Sequence, residues 1–283
     1  HFEPILEFAM HRIPALAETG IQTFFCGPES FTPDDRYLLG EAPELKNFYV
    51  ACGFNSIGIG SSGGAGKMIS EWIINGYPSM DLWEVDIRRM LPFQGNARYL
   101  EERVVEGLGL LYDMHWPFRQ YETARGIRKS SLHDRLLGWG ACFGEAIGWE
   151  RPNWYAPKGI EPRYKYSYGR QNWFEYSGAE HQAVRECVGL IDQSSFGKFL
   201  VSGPDAESVL NNICANDIAV PAERVVYTQW LNERGGIEAD LTVTRMTEDK
   251  FLIVTGVECQ VRDLNWLNRN IPADSRASVT DVT

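Results

Sequence analysis

FYVACGFNSIGIGSSGGAGK, residues 48–67, leads from an apolar run of the β type into a glycine-rich segment and then into a helical pattern. Six glycines lie between positions 53 and 66. Because glycine has no side chain, a ligand or a second backbone can come close to the main chain at such a segment. The stretch therefore predicts a strand, a tight turn and a helix.

Two nucleotide-binding motifs can be compared with these glycines. Residues 58–63 spell G-x-G-x-x-G, the dinucleotide fingerprint, which needs its glycines at the end of a strand and an acidic residue about 20 positions later. Here residues 55–58 separate the apolar run from the second glycine of the motif, and no clear second strand ends in an acid. The phosphate-loop pattern fails because Met68 follows Gly66 and Lys67 where Ser or Thr is required.

A hydrolase motif also overlaps the segment. Residues 60–64 spell G-x-S-x-G, which would make Ser62 a nucleophile on a strand-to-helix elbow. That interpretation needs a downstream Asp and His in order, which a chain of this length offers by chance, and no H-G-G-G-type oxyanion segment precedes it. On local pattern alone, a bend that lets the helix pack closely on the strand explains the glycines as well as any ligand does.

Composition narrows the class of protein. The 283 residues suffice for about two domains. The 38 acidic and 27 basic residues give a net charge of −11, which disfavours nucleic acid or an anionic membrane as a partner. No apolar run approaches the roughly 18 residues needed to span a bilayer. The six cysteines never form C-x-x-C, so we predict no metal site and no dense disulfide framework, and a reducing compartment fits best.

Both ends of the chain lie inside patterned sequence. Residue 1 is His instead of Met, a helical pattern already runs through residues 2–10, and residues 277–282 form a β-rich run. We therefore expect an internal piece of a longer polypeptide, with any targeting segment outside it. The compartment stays open between the cytoplasm and the mitochondrial matrix.

The first half contains two helical stripes followed by an irregular region. Residues 64–76 carry apolar side chains at helical spacing and end in Asn75 and Gly76, a stop signal. A second stripe, which predicts another core-facing helix, consists of Leu100, Val104, Leu108 and Leu111. Between positions 112 and 168, Trp, Pro, Gly and Arg crowd together with few periodic runs, which predicts a long aromatic connector between two domains.

The second half predicts a regular mixture of strands and helix. The predicted elements are a strand at 198–201, a helix at 204–214, and strands at 225–232, 237–246 and 251–256. Side chains alternate along a strand, so one face of the middle strand carries Glu238, Asp240, Thr242 and Thr244.

The pairing of these strands places chemically active groups together. If residues 233–236 form the turn, Thr242 lies opposite Tyr227 and Asp240 lies opposite Gln229. A carboxylate, a hydroxyl and a phenol then share one surface. The pattern alone leaves open whether this surface binds a ligand or only faces solvent.

Longer runs of this sequence resemble the dimethylglycine and sarcosine dehydrogenases. The runs that resemble the end of their flavin domain are HRIPALAETGI (11–21), GPESFTPD (27–34), LLGEAPEL (38–45) and FYVACGFNSIGI (48–59). The runs that continue the resemblance are HWP (115–117), TARGIRKSSLHDR (123–135), FGEAIGWERPNWY (143–155) and EHQAVRECVGLID (180–192). NERGGIEADLTVTR (232–245) is similar to the folate-binding domain of the glycine-cleavage T-protein.

The resemblance covers essentially the whole chain and implies a mixed α+β fold in three parts. Residues 1–69 would be the C-terminal segment of an FAD-dependent oxidoreductase domain, and residues 70–132 a central connecting domain. Residues 133–283 would be the N-terminal part of a T-protein-like folate-binding domain. The fingerprint that holds the FAD pyrophosphate would lie upstream of this chain.

The resemblance also implies a flavin-contacting role for the glycine-rich loop. The loop would return beneath the flavin, where its backbone N–H groups stabilise negative charge on the reduced ring. The implied FAD-binding residues are Gly53, Phe54, Asn55, Ser56 and Gly58, with Thr32 and Pro33 beside them. Ser62 would then have a helix-capping or packing role.

For the second half, the resemblance implies a tetrahydrofolate pocket. Asp240 would be the catalytic residue, orienting the reacting amine and stabilising positive charge as the one-carbon unit is captured. Tyr227 and Thr242 would contact the folate beside it. His115 and His133 receive no catalytic role.

The implied chemistry is a relay. FAD would take a hydride from the N-methyl carbon of sarcosine or dimethylglycine, tetrahydrofolate would capture the one-carbon unit, and an acceptor protein or oxygen would take the electrons. This chain alone is expected to be inactive. Two alternatives stay open: a regulatory subunit of the pyruvate dehydrogenase phosphatase type, which shares the architecture, and a folate-dependent aminomethyltransferase, which gives no role to residues 1–70.

Overall fold

The computed structural model describes residues 2–283 and shows a mixed α and β architecture. The α-helices are α1 (Glu3–Arg12), α2 (Gly58–Asn75), α3 (Ala97–Tyr112), α4 (His133–Gly138), α5 (Phe174–Glu186), α6 (Ala206–Ile213) and α7 (Gln260–Asn270). The strands are β1 (Leu38–Glu41), β2 (Tyr49–Cys52), β3 (Ala141–Ala146), β4 (Trp149–Tyr155), β5 (Gly197–Ser202), β6 (Val225–Leu231), β7 (Ile237–Arg245), β8 (Lys250–Thr255) and β9 (Ser278–Asp281).

The predicted strand, turn and helix around the glycine-rich segment are confirmed. Strands β1 and β2 pair antiparallel, and α2 packs on them through Met68, which contacts the fully buried Leu39. Gly40 adopts φ +118°, and a Cβ added there would lie 2.6 Å from the Trp72 ring. Glycine at this position therefore allows the close contact between strand and helix.

Helix α2 ends as predicted but begins earlier. Gly76 adopts φ +81° and donates its N–H to the Trp72 carbonyl at 2.8 Å, a left-handed helix end. The first helical residue is Gly58 instead of the predicted residue 64. Several glycines in the first turns lower the intrinsic preference for helix, but packing of the buried Ala65 against the strands compensates for it.

The buried side of α3 is not the predicted one. The residues of the predicted stripe are only half-buried: Leu100, Val104, Leu108 and Leu111. The buried side is formed by Tyr99, Arg103 and Gly107. An arginine on the buried side cannot be found from apolar periodicity, which explains why the predicted stripe was displaced by one position.

Arg103 is 2% exposed and occupies the space between two tyrosine rings. Its guanidinium carbon lies 4.3 Å from the centroid of Tyr121 and 5.3 Å from that of Tyr99. Nη1 donates to Glu145 of β3 at 2.8 Å, and Nη2 donates to the Thr123 carbonyl at 2.8 Å. The side chain therefore joins the central helix to the second half of the chain.

The prediction of an irregular connector at 112–168 is wrong over its second part. Helix α4 and the antiparallel hairpin β3–β4 lie there. Ile147 (φ +49°) and Gly148 (φ +77°) form the turn, a conformation that usually selects Asn and Gly. Because a β-branched residue occupies the first turn position, the sequence gives no clear hairpin signal.

The second half contains a five-stranded antiparallel sheet in the order β6-β7-β8-β5-β9. Helices α6 and α7 contribute the buried Leu210 and Leu267 to its core. The predicted strands and the predicted helix at 204–214 are confirmed within a few residues. The predicted register is confirmed as well, with Tyr227 opposite Thr242, although a bulge follows Trp230.

The first and last parts of the chain are in direct contact. Arg269 of α7 donates to the Glu41 carboxylate of β1 at 2.7 Å, and Asn265 donates to the Pro43 carbonyl at 3.3 Å. The ion pair with Arg269 lowers the pKa of Glu41, although burial opposes it. Within residues 2–283, no helix combines the length and the apolar character that crossing a bilayer requires.

Asp35 is a half-buried carboxyl group in an unfavourable environment. Its backbone has φ +57°, and Oδ1 is buried without a hydrogen-bond partner among the described residues. A Cβ added at Gly107 would lie 2.8 Å from this oxygen. Burial, followed by the charge of Asp34, raises the pKa of Asp35 to about 6.

Asp35→Asn should stabilise the fold at pH 7–8. The folded protein holds the Asp35 proton up to about pH 6, whereas the unfolded chain releases it near 3.8, so stability falls as pH rises between these values. Asparagine is neutral and also tolerates positive φ. After allowance for solvent screening, we expect the free energy of unfolding to rise by about 1 kcal/mol at pH 7–8 and to stay unchanged at pH 4. Urea unfolding at the two pH values measures this difference.

The matched control is Asp34→Asn. Asp34 accepts from Arg89 at 2.7 Å, so losing its charge should lower stability at pH 7–8. A stabilised Asp34→Asn protein, or a gain for Asp35→Asn that is equally large at pH 4, would contradict this account.

Candidate functional site

The outer face of β7 carries the polar side chains that alternation predicts. Ala239, Leu241 and Val243 point into the core and are buried. Asp240, between two of them, is exposed, and Thr242 is half-buried on the same side. The buried side chains determine the register of β7, because a shift of one residue would turn the Asp240 carboxylate into the core.

Tyr227 and Asp240 are in direct contact on this face. The Tyr227 hydroxyl donates to Asp240 Oδ2 at 2.9 Å. Since Tyr227 pairs with Thr242, the bond runs diagonally across the two strands. The bond to Asp240 raises the pKa of Tyr227, which keeps the phenol protonated and donating. Asp240 Oδ1 makes no hydrogen bond within residues 2–283, so it can accept one from a ligand.

Asp240 lies in a cleft of about 390 Å³ between the β6–β7 hairpin and the loop after α2. The residues that line it include Tyr77, Asp81, Trp83 and Arg88 after α2, Arg234 of the hairpin, and Arg262 of α7. Two of the arginines are held by acids: Arg88 contacts Asp86 at 2.6 Å, and Arg262 contacts Asp263 at 3.2 Å. The wall at 77–88 carries no sequence motif, so it could not be predicted as part of a site.

In the glycine-rich loop, Thr32 and Asn55 bond to each other. The Thr32 N–H donates to Asn55 Oδ1 at 2.8 Å, and Asn55 Nδ2 donates to Thr32 Oγ1 at 3.0 Å. Asn55 Nδ2 also donates to the Gly53 carbonyl at 2.8 Å. Both side chains are buried, so their polar groups determine the shape of the loop.

The need for glycine at position 53 arises within the protein. Gly53 adopts φ +66°, and a Cβ added there would lie 2.6 Å from Thr32 Cγ2. At Gly58 an added Cβ would lie 3.3 Å from Phe54, whose ring stacks on Tyr37 with centroids 4.9 Å apart. Pro33 is buried next to Thr32.

The opposite side of the loop is exposed. Ser56 donates its hydroxyl to Glu29 at 2.7 Å, and Ile59 is 98% exposed. The first N–H groups of a helix lack intrahelical acceptors and favour negative charge nearby. Among residues 56–60, the Ile57 N–H donates to the Phe54 carbonyl at 2.9 Å, and the other four N–H groups make no hydrogen bond with the described residues. These four groups can therefore face a negatively charged ligand, while Thr32, Gly53 and Asn55 lie on the buried side of the loop.

Other residues considered from the sequence lie away from both surfaces. Ser62 is inside α2 and donates to the Ile59 carbonyl at 3.0 Å, so it does not cap the helix. His133 is buried and stacks on Phe143 with ring centroids 4.4 Å apart. The His115 carbonyl accepts from Tyr168 at 3.2 Å. Among the described residues, none from 53–58 lines the cleft that contains Asp240.

Three family descriptions match the chain in consecutive order. Residues 1–72 match "FAD dependent oxidoreductase", residues 75–130 match "FAD dependent oxidoreductase central domain", and residues 132–283 match "GCVT N-terminal domain". The mixed fold and the three-part architecture predicted from the resemblance are thereby confirmed.

Individual relatives match along most or all of the chain. The 4-methylaminobutanoate oxidase (formaldehyde-forming) of Paenarthrobacter nicotinovorans is 48% identical over 100% of this chain and 34% of its own length. The mitochondrial pyruvate dehydrogenase phosphatase regulatory subunit of Mus musculus is 37% identical over 100% of this chain and 33% of its own length. The mitochondrial sarcosine dehydrogenase of Homo sapiens is 38% identical over 87% of this chain and 29% of its own length.

This chain belongs to the dimethylglycine and sarcosine dehydrogenase family, in which FAD-dependent oxidoreductase domains precede a GCVT domain. It spans about a third of the length of the relatives above.

Gly53→Val in the full-length protein should expel most of the flavin. A β-branched residue at φ +66° is strained by about 1–2 kcal/mol, and its side chain would push Thr32 away. The visible flavin absorbance should fall, while the melting transition of the GCVT domain persists. The control is Gly66→Ala, where nothing lies within 4 Å of an added Cβ. Stoichiometric flavin in Gly53→Val would contradict the flavin-binding role that the resemblance implies for the loop.

Proposed function

We propose that the full-length protein is a flavin-dependent enzyme that oxidatively demethylates a small N-methylated amino acid and transfers the one-carbon unit to tetrahydrofolate. The observation that carries the proposal is that Asp240, whose carboxylate accepts a hydrogen bond from the exposed Tyr227 hydroxyl, lines a cleft that two parts of the chain build together. A ligand-facing carboxylate at such a junction suits a relay between modules. We propose that the segment of the flavin domain ends at residue 69 and that the central domain ends at residue 132.

For the flavin half, the chain's own residues supply shape and polarity. Bound FAD supplies the hydride acceptor. The N–H groups of Ser56, Gly58, Ile59 and Gly60, which have no partner among the described residues, would stabilise negative charge at the flavin edge. Thr32 and Asn55, buried and bonded to each other, would hold those N–H groups in place. Preorganised donors of this kind cost no reorganisation during the reaction.

For the folate half, Asp240 would act as acceptor and counter-charge. Oδ2 is occupied by the Tyr227 hydroxyl, which orients the carboxylate. Oδ1 would accept a hydrogen bond from an N–H of the reduced pterin, and the negative charge would stabilise positive charge on the amine during capture. Thr242 adds a hydroxyl farther along the same face, outside the lining of the cleft.

The substrate class follows from what the relatives' names share. One names 4-methylaminobutanoate and another names sarcosine, and both are N-methylated amino acids. We propose sarcosine or dimethylglycine as substrates and 4-methylaminobutanoate as the comparison in the assay. Oxygen uptake, measured beside reduction of an artificial acceptor, distinguishes oxygen from a carrier protein as the electron acceptor.

A second candidate is a regulatory protein of the same architecture. It is favoured by the 37% identity to the phosphatase regulatory subunit along the whole chain. Turnover of any N-methylated amino acid by the full-length protein would exclude it. If the full-length protein binds tetrahydrofolate but has no flavin spectrum, the dehydrogenase is disfavoured. The regulatory protein and the aminomethyltransferase then stay as the two alternatives.

Asp240→Ala should uncouple the two half-reactions in the full-length protein. Flavin reduction by the amine should stay within about twofold of normal, since it uses other residues. Capture by tetrahydrofolate should fall about ten- to hundredfold, because a charge-assisted hydrogen bond is lost. The one-carbon unit should then appear as free formaldehyde. Stopped-flow flavin bleaching and a formaldehyde assay with tetrahydrofolate present measure both.

The matched control is Glu238→Gln on the same strand face. Glu238 accepts from Asn232 at 2.8 Å, and the isosteric amide should leave the product ratio unchanged. Slow bleaching with normal methylenetetrahydrofolate in Asp240→Ala would place the residue in the flavin half or the scaffold, against this proposal.

A further inference from the structure

A contact between Arg234 and Tyr77 joins the two walls of the Asp240 cleft. The Arg234 guanidinium carbon lies 3.5 Å from the centroid of the Tyr77 ring. Arg234 belongs to the turn between β6 and β7, and Tyr77 belongs to the loop after α2. Arg234 is exposed and Tyr77 is 39% exposed, so the contact lies at the solvent edge of the cleft.

Each partner is carried by a defined backbone feature. Asn232 Oδ1 accepts the N–H of Arg234 at 3.0 Å and that of Gly236 at 2.9 Å, which fixes the turn. Tyr77 directly follows Gly76, which has φ +81° and nothing within 4 Å of an added Cβ. The tyrosine therefore sits where the chain leaves a helix, a position that can absorb backbone rotation.

Arg234 differs from the other arginines of the cleft. Arg88 and Arg262 are held by carboxylates, whereas Arg234 makes no salt bridge within the described part of the chain. Its charged group is held by the ring alone. An exposed cation–π contact favours the closed arrangement only about two- to fivefold. Such a contact is closed most of the time and opens readily.

We propose that Arg234 and Tyr77 form a gate over the cleft that contains Asp240. A ligand enters and leaves when the guanidinium separates from the ring, and the contact reforms over the bound ligand. The ligand class, a reduced folate, rests on the function proposed above. Because the gate acts on passage in both directions, it slows association and dissociation by similar factors and leaves the affinity nearly unchanged.

The test uses the full-length protein and 5-formyltetrahydrofolate, a stable reduced folate. Stopped-flow tryptophan fluorescence, with Trp83 in the cleft wall as a reporter, gives both rate constants. Tyr77→Leu and Arg234→Ala should each raise association and dissociation about three- to sixfold, with Kd unchanged within about twofold. The double variant should exceed neither single variant, since both remove the same contact.

Tyr77→Phe is the matched control, because it keeps the ring face and should retain the normal rates. A rise in dissociation alone would show that the residues contact the ligand directly, and unchanged rates would assign them to the scaffold. Either result, or additive effects in the double variant, overturns the gate. Failure of the unmodified protein to bind the folate would overturn the proposed function and the gate with it.

Discussion

Arg103 carries a positive charge at 2% exposure, a location that is tolerable only because a carboxylate, backbone carbonyls and two tyrosine rings surround it. Removing one partner of such a buried pair typically costs about 3–5 kcal/mol. Since Glu145 belongs to the hairpin β3–β4, this ion pair ties the central helix to the GCVT domain. The Glu41–Arg269 pair provides a second link from β1 to α7. These two pairs therefore join each of the first two parts of the chain to the GCVT domain.

Buried and exposed polar groups have different tasks in this chain. Thr32 and Asn55 satisfy each other inside the glycine-rich loop, so they determine its shape and need no ligand. Asp240 has one oxygen held by Tyr227 and the other directed to no protein group that the structure describes. In the proposed function, exposed atoms therefore contact the ligands and buried polar groups hold those atoms in place.

The sequence was most informative where a local rule determines the geometry. The turn 233–236 and the alternation along β7 were enough to predict that Asp240, Thr242 and Tyr227 share a face. The hairpin β3–β4 escaped prediction because Ile147 occupies a turn position with positive φ. The start of α2 and the buried position of Arg103 in α3 could not be predicted, because both depend on packing partners that are distant in the sequence. The cleft wall at 77–88 has no motif, since only tertiary contact brings it to β7.

We propose that a reduced folate binds between the loop 77–88 and β7, in contact with Asp240. A crystal structure of the full-length protein with 5-formyltetrahydrofolate would show whether it does. We expect pterin density within hydrogen-bonding distance of Asp240 Oδ1, with the Tyr227 hydroxyl still on Oδ2. Folate density elsewhere, with solvent alone at Asp240, would contradict it.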